Sequence, residues 1–464
     1  MVRLLRSAAA VAAISASAVY AAAPTCGAGS NCPSDTPCCS QYGQCGLGAY
    51  CLGGCDPLHS FSLNSCVPAP VCNSQDYKLD SLDDIVADTD YLGDPSKANW
   101  VASGQPANYD NSVLLTMAPS TVGTLLTSTK YVWFGKICAT LTTSQGAGVV
   151  TAFILMSDVK DEIDFEFIGV DVQHAQSNYY WQGVTDYNNE KDLAADNTPS
   201  QVHEYCFDWT TDSITWSVDG TNLRTVNKAD TYNDTDGNYH YPQTPARIEL
   251  SLWPAGLESN GEGTVSWAGG LVNWNSQYMK NGYYYAMVSD VNVKCYDPPS
   301  GYNNSGTKSY VYTSSDGLNT SVAITDDIEI LGSFYANGEN PNFGAKPSGS
   351  ASSSSSAPTP SNTDVQTVPG VSGAGSRGDS GSPSSGNSGG SGDSGSSGND
   401  GGDSGTGGSS TSSAPGSGST SFLQGTGNNG GGGSTSEAAK TRAWRGEGGS
   451  LFAVVVALVG LMLL

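Results

Sequence analysis

The sequence predicts an all-β sandwich flanked by segments of different character, and three observations carry that reading. Between about residues 75 and 296, short apolar/polar alternating runs recur with turn residues between them. Helical periodicity is absent there, and many short strands at this spacing indicate a sandwich or barrel. Residues 24–55 are dense in Cys and Gly instead, and residues 346–436 are mostly Ser, Gly, Pro and Thr. The 464 residues thus divide into a targeting segment, a cysteine-rich module, a β domain, a spacer and a tail.

Arg3 and Arg6 precede and interrupt an apolar, Ala-rich run that ends near Val19, with small residues following at 21–23. This is the layout of a secretory signal peptide over 1–22, too short to span a bilayer as an anchor. Twelve cysteines, nine of them between Cys26 and Cys72, then predict disulfides rather than thiols or zinc sites. A segment so poor in aliphatic residues needs cross-links to fold. Sequons at Asn233, Asn303 and Asn319 are candidate N-glycosylation sites.

The strand-like runs are 131–141, 149–156, 162–168, 177–182, 205–209, 214–218, 248–253 and 285–295. Asp219-Gly220 between two of them reads as a hairpin turn, since that pair accepts positive φ. Residues 301–345 carry further strand-like pieces and are read as an extension of the β domain. Residues 346–436 cannot bury enough apolar area to offset chain entropy and are read as a disordered linker. Small residues around 434–438, a polar spacer and the apolar run 451–464 together form a glycosylphosphatidylinositol signal. Ser436 is the expected attachment residue, with 437–464 removed, and the destination is the outer leaflet of the plasma membrane or the cell wall. A formal charge of −25 argues against nucleic acid as a partner.

The run Asp161-Glu-Ile-Asp-Phe-Glu-Phe167 carries the chemistry. Strand alternation places Glu162, Asp164 and Glu166 on one face and Ile163, Phe165 and Phe167 on the other. Like charges so arranged cost stability. A solvated strand face or a calcium ligand set are the bland readings. Glycoside hydrolysis needs two carboxyls, one ionised and one protonated, and mutual repulsion raises one pKa as an acid catalyst requires. The outer two Cα atoms lie ~13 Å apart at ~3.3 Å per residue, so inward-leaning Glu side chains approach the ~5–5.5 Å of a retaining pair. Asn178, Tyr180 and Gln182 alternate on a following run, beside Trp181, and Arg247, Glu249, Ser251 and Trp253 on another. Such polar and aromatic groups suit a sugar-binding cleft. His59, His174, His203 and His240 show no metal-ligand spacing, His203 reads as a packed structural residue, and no cofactor motif is present.

EIDFE followed by SNYYWQG, HEYCFDW, ITWSVDG and IELSLW resembles the laminarinase and lichenase clan, glycoside hydrolase family 16. YPQTPARIELSLW with GTVSWAGG is similar, more closely, to the fungal Crh-type cell-wall transglycosylases. The likeness covers about 56–300. It implies a β-jelly-roll domain with a concave cleft, Glu162 as nucleophile, Glu166 as acid/base and Asp164 as the assisting residue. It also implies substrate contacts by the Asn178–Gln182 segment, Glu249, Trp253 and Thr264, although Trp253-Pro254-Ala255-Gly256 stands where the family has Trp-Ala-Gly-Gly. The implied substrates are chitin and β-1,3- or β-1,6-glucan, joined by transfer. A plain hydrolase and a non-catalytic chitin-binding adhesin are the competing readings.

The cysteine pattern with the core CCSQYGQCG resembles the hevein-like chitin-binding module, carbohydrate-binding family 18. That resemblance implies a sugar site of Ser40, Tyr42 and Tyr50, with Gln44 in place of a stacking ring. It also implies the pairs Cys26–Cys39, Cys32–Cys45 and Cys38–Cys51. For the other six cysteines the sequence suggests Cys55–Cys66, Cys72–Cys295 and Cys138–Cys206 without fixing the connectivity.

Overall fold

A computed structural model describes residues 24–345. The expected signal peptide 1–22, the expected linker 346–436, the expected attachment residue Ser436 and the tail 437–464 lie outside the described residues.

Two eight-stranded sheets stack face to face. One runs, edge to edge, Lys191–Ala194, His174–Tyr180, Glu162–Ile168, Val149–Ser157, Ala246–Pro254, Thr124–Val132, Trp100–Ser103 and Ile85–Ala87. The other runs Thr221–Asn227, Ser213–Val218, His203–Trp209, Gly135–Thr142, Tyr284–Cys295, Ser112–Met117 and Ala107–Tyr109, with Gln75–Lys78 also paired to Tyr284–Cys295. Apart from the parallel Ile85–Ala87 edge, both sheets are antiparallel. Among the described residues the one α-helix is Glu262–Trp267.

Alternation explains the layering. Ile163, Phe165 and Phe167 from the acid strand, Phe153 and Leu155, Ile248, Leu250 and Leu252, and Tyr205, Phe207 and Trp216 from the second sheet share one core. Phe165 lies 5.0 Å from Phe207 between ring centroids, and Phe167 4.7 Å from Tyr205. Each buried aromatic of this kind contributes a few kcal/mol through the water it leaves. The turn at 219–220 has positive φ at both residues, 48° and 76°, with Val218 paired to Thr221. The run 131–141 is two strands rather than one. The chain reverses at Trp133-Phe134, where Phe134 adopts φ 65°, because two strands of different sheets meet there.

All twelve cysteines are bridged, as Cys26–Cys39, Cys32–Cys45, Cys38–Cys51, Cys55–Cys66, Cys72–Cys295 and Cys138–Cys206. Cys138 and Cys206 face each other across neighbouring strands, and Cys72–Cys295 ties the start of the sandwich to its last long strand. The module reaches past residue 55. Cys55–Asp56 is a strand of its small sheet, and backbone bonds from Cys32 to His59 and Phe61 to Pro37 fold the next loop onto it. Residues 301–345 supply three strands of a small sheet completed by Ala69–Pro70. Leu331 and Ala336 then pack with Leu52 of the module and Tyr91 of the sandwich.

Candidate active site

The outer face of the first sheet is built in rungs. One rung reads Tyr180, Glu162, Met156, Arg247 and Tyr131 across successive strands. The next reads Asn178, Asp164, Ile154, Glu249, Thr127 and Val101, and the third Gln176, Glu166, Ala152, Ser251, Leu125 and Ser103. Ala152, Ile154 and Met156 make a small apolar cluster beside the acids. From the core side, Trp216 Nε1 donates to the Asp164 carbonyl at 2.9 Å and pins the acid strand.

The three carboxyls are buried, with Glu162 6%, Asp164 0% and Glu166 8% exposed. Both Asp164 oxygens and one oxygen each of Glu162 and Glu166 receive no hydrogen bond from an amide, hydroxyl or cationic donor among the described residues, and Glu162 and Asp164 are close enough to share a proton. A native fold rarely leaves so many buried polar atoms unpaired unless something else satisfies them. Burial raises the Glu162 pKa well above the ordinary carboxyl range, and the neighbouring Asp164 adds to the rise. Burial likewise lifts Asp164 to about 7. Glu166 is held well above its ordinary value by burial, then by the charges of Asp164 and Glu190. Burial, followed by the charges of Asp164, Glu162 and Glu166, pushes up the Tyr180 hydroxyl, which places that ring beside the triad. Glycosidic chemistry uses groups tuned in this way, because an acid still protonated near neutral pH is required.

Asn178 Nδ2 donates to the Tyr180 hydroxyl at 2.7 Å, fixing both side chains on the acid face. Trp253 occupies the same face one rung beyond Ser251 and stacks on Trp267 at 6.1 Å between ring centroids. Gln182 departs from the expected alternation. The strand ends at Tyr180, Gln182 lies in a turn at φ 46°, and its side chain donates to the Asp316 carbonyl. Trp181, also past the strand end, stacks on His240 at 4.5 Å. Thr264 sits in the Glu262–Trp267 helix, not on a cleft strand. Glu249 is buried against Arg247 Nη2 at 3.2 Å.

Sequence reasoning passed over Trp267 and Gln176, which meet at 2.8 Å between Nε1 and Oε1 and join the helix to the Glu166 rung. Gln176 was readable, since it continues the parity of Asn178 and Tyr180; the Trp267 contact spans loops and leaves no local signal. His203 bridges the Asp219 carboxylate and the Asp196 carbonyl, a structural role. Asn303 is exposed, Asn233 is half-buried in a short strand, and Asn319 opens a 3-10 turn. Ser40 and Tyr50 are buried and Tyr42 is partly covered; all three face the first sheet's outer face, not open solvent.

The buried acids predict an acid-shifted stability profile. Burial raises Asp158 and Asp161 to about 6 and Asp164 to about 7. A carboxyl with a raised folded pKa holds its proton more tightly in the native state. Its contribution is therefore intact below its unfolded value near pH ~4 and is lost as pH rises through the folded value. Thermal melts across about pH 4 to 7 are expected to show a falling Tm, by at least ~1 kcal/mol or ~2–4 °C. Asp164→Asn should flatten that slope, and a Tm that climbs over the same window would contradict the argument.

A two-sheet sandwich with buried, alternating carboxylates on one outer face defines a glycosidic-bond enzyme of jelly-roll type. Residues 94–269 match glycosyl hydrolases family 16. The chain is 52% identical over 348 residues to Crh-like protein 2 of Aspergillus fumigatus, covering 74% of this chain and 79% of the relative. It is 45% identical over 329 residues to Congo red hypersensitive protein 2 of Saccharomyces cerevisiae, covering 70% of each. A solved structure described as Crh5 transglycosylase in complex with NAG aligns at TM-score 0.46 and 30% identity, covering 58% of this chain and 98% of that one. The chain belongs to the Crh-like proteins of glycosyl hydrolases family 16 and is an enzyme of that glycosidase kind.

Proposed function

We propose that this chain is a retaining cell-wall transglycosylase that cleaves a chitin or β-glucan donor and passes the released end to β-1,3- or β-1,6-glucan. Glu162 attacks the anomeric carbon while Glu166 gives its proton to the departing glycosidic oxygen. The glycosyl unit is then an ester of Glu162. Glu166, now a carboxylate, takes the proton from an acceptor hydroxyl, whose oxygen attacks the same carbon and frees Glu162. Two inversions leave the configuration retained. Asp164, set between the two, holds Glu162 in position and keeps Glu166 protonated through its charge. Tyr180, Asn178, Trp253 and Trp267 line the sugar chain.

The observation that carries this reading is the run of three buried carboxyls on one strand face, four of whose oxygens meet no donor group. The choice of transfer over hydrolysis, and of chitin and glucan as partners, rests on the family. Secretion and a lipid anchor at Ser436 rest on the two terminal sequence signals. Among the described residues no helix is long and apolar enough to cross a membrane. Incubation with chitin oligomers and a fluorescent laminarin-oligomer acceptor is expected to give labelled hybrid products by mass spectrometry. Release of shortened donor without any labelled hybrid would make the chain a hydrolase. Absence of turnover on every donor would make it a wall-binding protein.

A further inference from the structure

We infer that the cysteine-rich module is a fixed wall of the substrate face, where Ser40, Tyr42 and Tyr50 close over one pyranose unit of the same chain that reaches the carboxylates. The inference rests on the catalytic reading above for the identity of that chain. The module is therefore a built-in subsite, not a separate anchor.

A cavity lies between Ser40, Tyr42 and Tyr50 of the module and Val101, Thr127 and Arg247 of the sheet. Those three sheet residues sit on the same outer face as the acids, because Thr127 pairs with Glu249, Glu249 with Ile154, and Ile154 with Asp164. At ~4.8 Å per strand the cavity floor begins ~10–14 Å from the acid strand, within reach of a short oligosaccharide.

Arg247 Nη2 donates to Gln41 Oε1 at 2.6 Å in a buried contact. The Gly54 amide donates to Asp158 at 2.9 Å and lies 3.0 Å from the Tyr131 hydroxyl, which itself donates to Asp158 at 2.6 Å. Lys160 pairs with Asp56 at 3.4 Å. A Cβ at Gly48 would strike the Phe334 backbone at 2.4 Å, so the 301–345 extension grips the module tightly from the other side. Backbone bonds from Gly48 to Ala336 and from Gly338 to Ser65 complete the grip. Lifting the module would break the Arg247–Gln41 contact and expose to water the apolar cluster of Leu52 with Tyr91, Leu331 and Ala336. A module so held does not swing out to bind chitin elsewhere.

The Tyr42 and Tyr50 rings and the Leu125 and Val101 side chains give apolar surface, and Ser40, Gln41 and Thr127 give hydroxyl and amide groups. Glu249 offsets the Arg247 charge at 3.2 Å. Apolar platforms with neutral polar groups and one carboxyl, Asp88, which accepts from Ser103 at 2.8 Å, suit the hydroxyl-rich edge of an uncharged β-linked pyranose.

The test uses the full chain carrying Glu162→Gln, titrated calorimetrically with N-acetylglucosamine oligomers and, separately, laminari-oligomers of two to six units. Tyr42→Ala alters the wall from the module, and Val101→Trp fills the cavity from the sheet without touching the module. One oligomer per chain is expected. Both substitutions should weaken the longest ligands by about fivefold to tenfold, the worth of one aromatic contact, and leave the shortest unchanged. With Glu162 intact, KM for long donors should rise by the same factor at constant kcat, the sign of lost uniform binding. The two oligomer series reveal whether the subsite takes the N-acetylated or the plain sugar. Two independent sites per chain, or a length dependence that neither substitution moves, would overturn the inference. So would faster turnover of Tyr42→Ala, which would make the module a block. If the chain with Glu162 intact turns over nothing, yet length-dependent single-site binding persists, the catalytic reading fails and the composite subsite stands.

Discussion

Glu162→Gln is expected to fold normally and to lose at least ~10⁴-fold of turnover, since it removes the group that forms the covalent intermediate. The substitution keeps side-chain volume and one acceptor oxygen, so the surrounding contacts of Met156 and Tyr180 persist. It also removes one of three buried acids whose ionisation burial disfavours. Stability near neutral pH should therefore hold or rise while activity vanishes, which separates a catalytic loss from a folding loss. Azide assigns the two glutamates. With an activated aryl glycoside, Glu166→Ala still forms the Glu162 ester, and azide traps it with retained configuration. Glu162→Ala has no ester to trap, so azide attacks directly and the product is inverted. Residual turnover within tenfold of the parent for Glu162→Gln, or a retained product from Glu162→Ala, would remove Glu162 from the nucleophile's role.

The acid strand was legible because a period of two is a local property. Ile163, Phe165 and Phe167 need a core, and that requirement alone puts Glu162, Asp164 and Glu166 on the opposite face. The same logic placed Asn178, Tyr180, Glu249 and Trp253 on that face. It failed at Gln182, where the strand has already ended and positive φ redirects the chain. It failed at 131–141, where the apolar stretch Tyr131–Phe134 hid the passage from one sheet to the other at Phe134. Alternation also says nothing about what covers a face. Gln41 and Arg247 lie 206 residues apart, and Trp267 and Gln176 lie 91 apart. Pairings at such separations depend on how the sheets and loops come together. The cysteines make the module recognisable but say nothing of where it sits, and the fold seats it against the cleft strands.

Arg247→Ala is expected to cost about 3–5 kcal/mol, the scale for removing one partner of a buried charge network. Arg247 is 8% exposed and touches two elements that local sequence keeps apart. One Nη reaches both Gln41 of the module and Glu249 of the same strand. Burial alone would lower its pKa, and the charges of Tyr131, Glu249 and Asp158 more than offset that. Glu249, 2% exposed in the intact chain, loses its ion-pair partner when the guanidinium is removed. The module also loses the side chain on which Gly53 packs, since a Cβ at Gly53 would lie 2.9 Å from Arg247 Cδ. Adding Glu249→Gln to Arg247→Ala should return part of the loss by removing the stranded charge, whereas independent effects would add. Denaturant melts of the single and double variants measure this coupling. Limited proteolysis should find new cleavage near Gly53-Gly54 in Arg247→Ala alone. A loss below ~1 kcal/mol would mean that the module is held by the 301–345 extension and the disulfides, with Arg247 contributing no more than an exposed ion pair does.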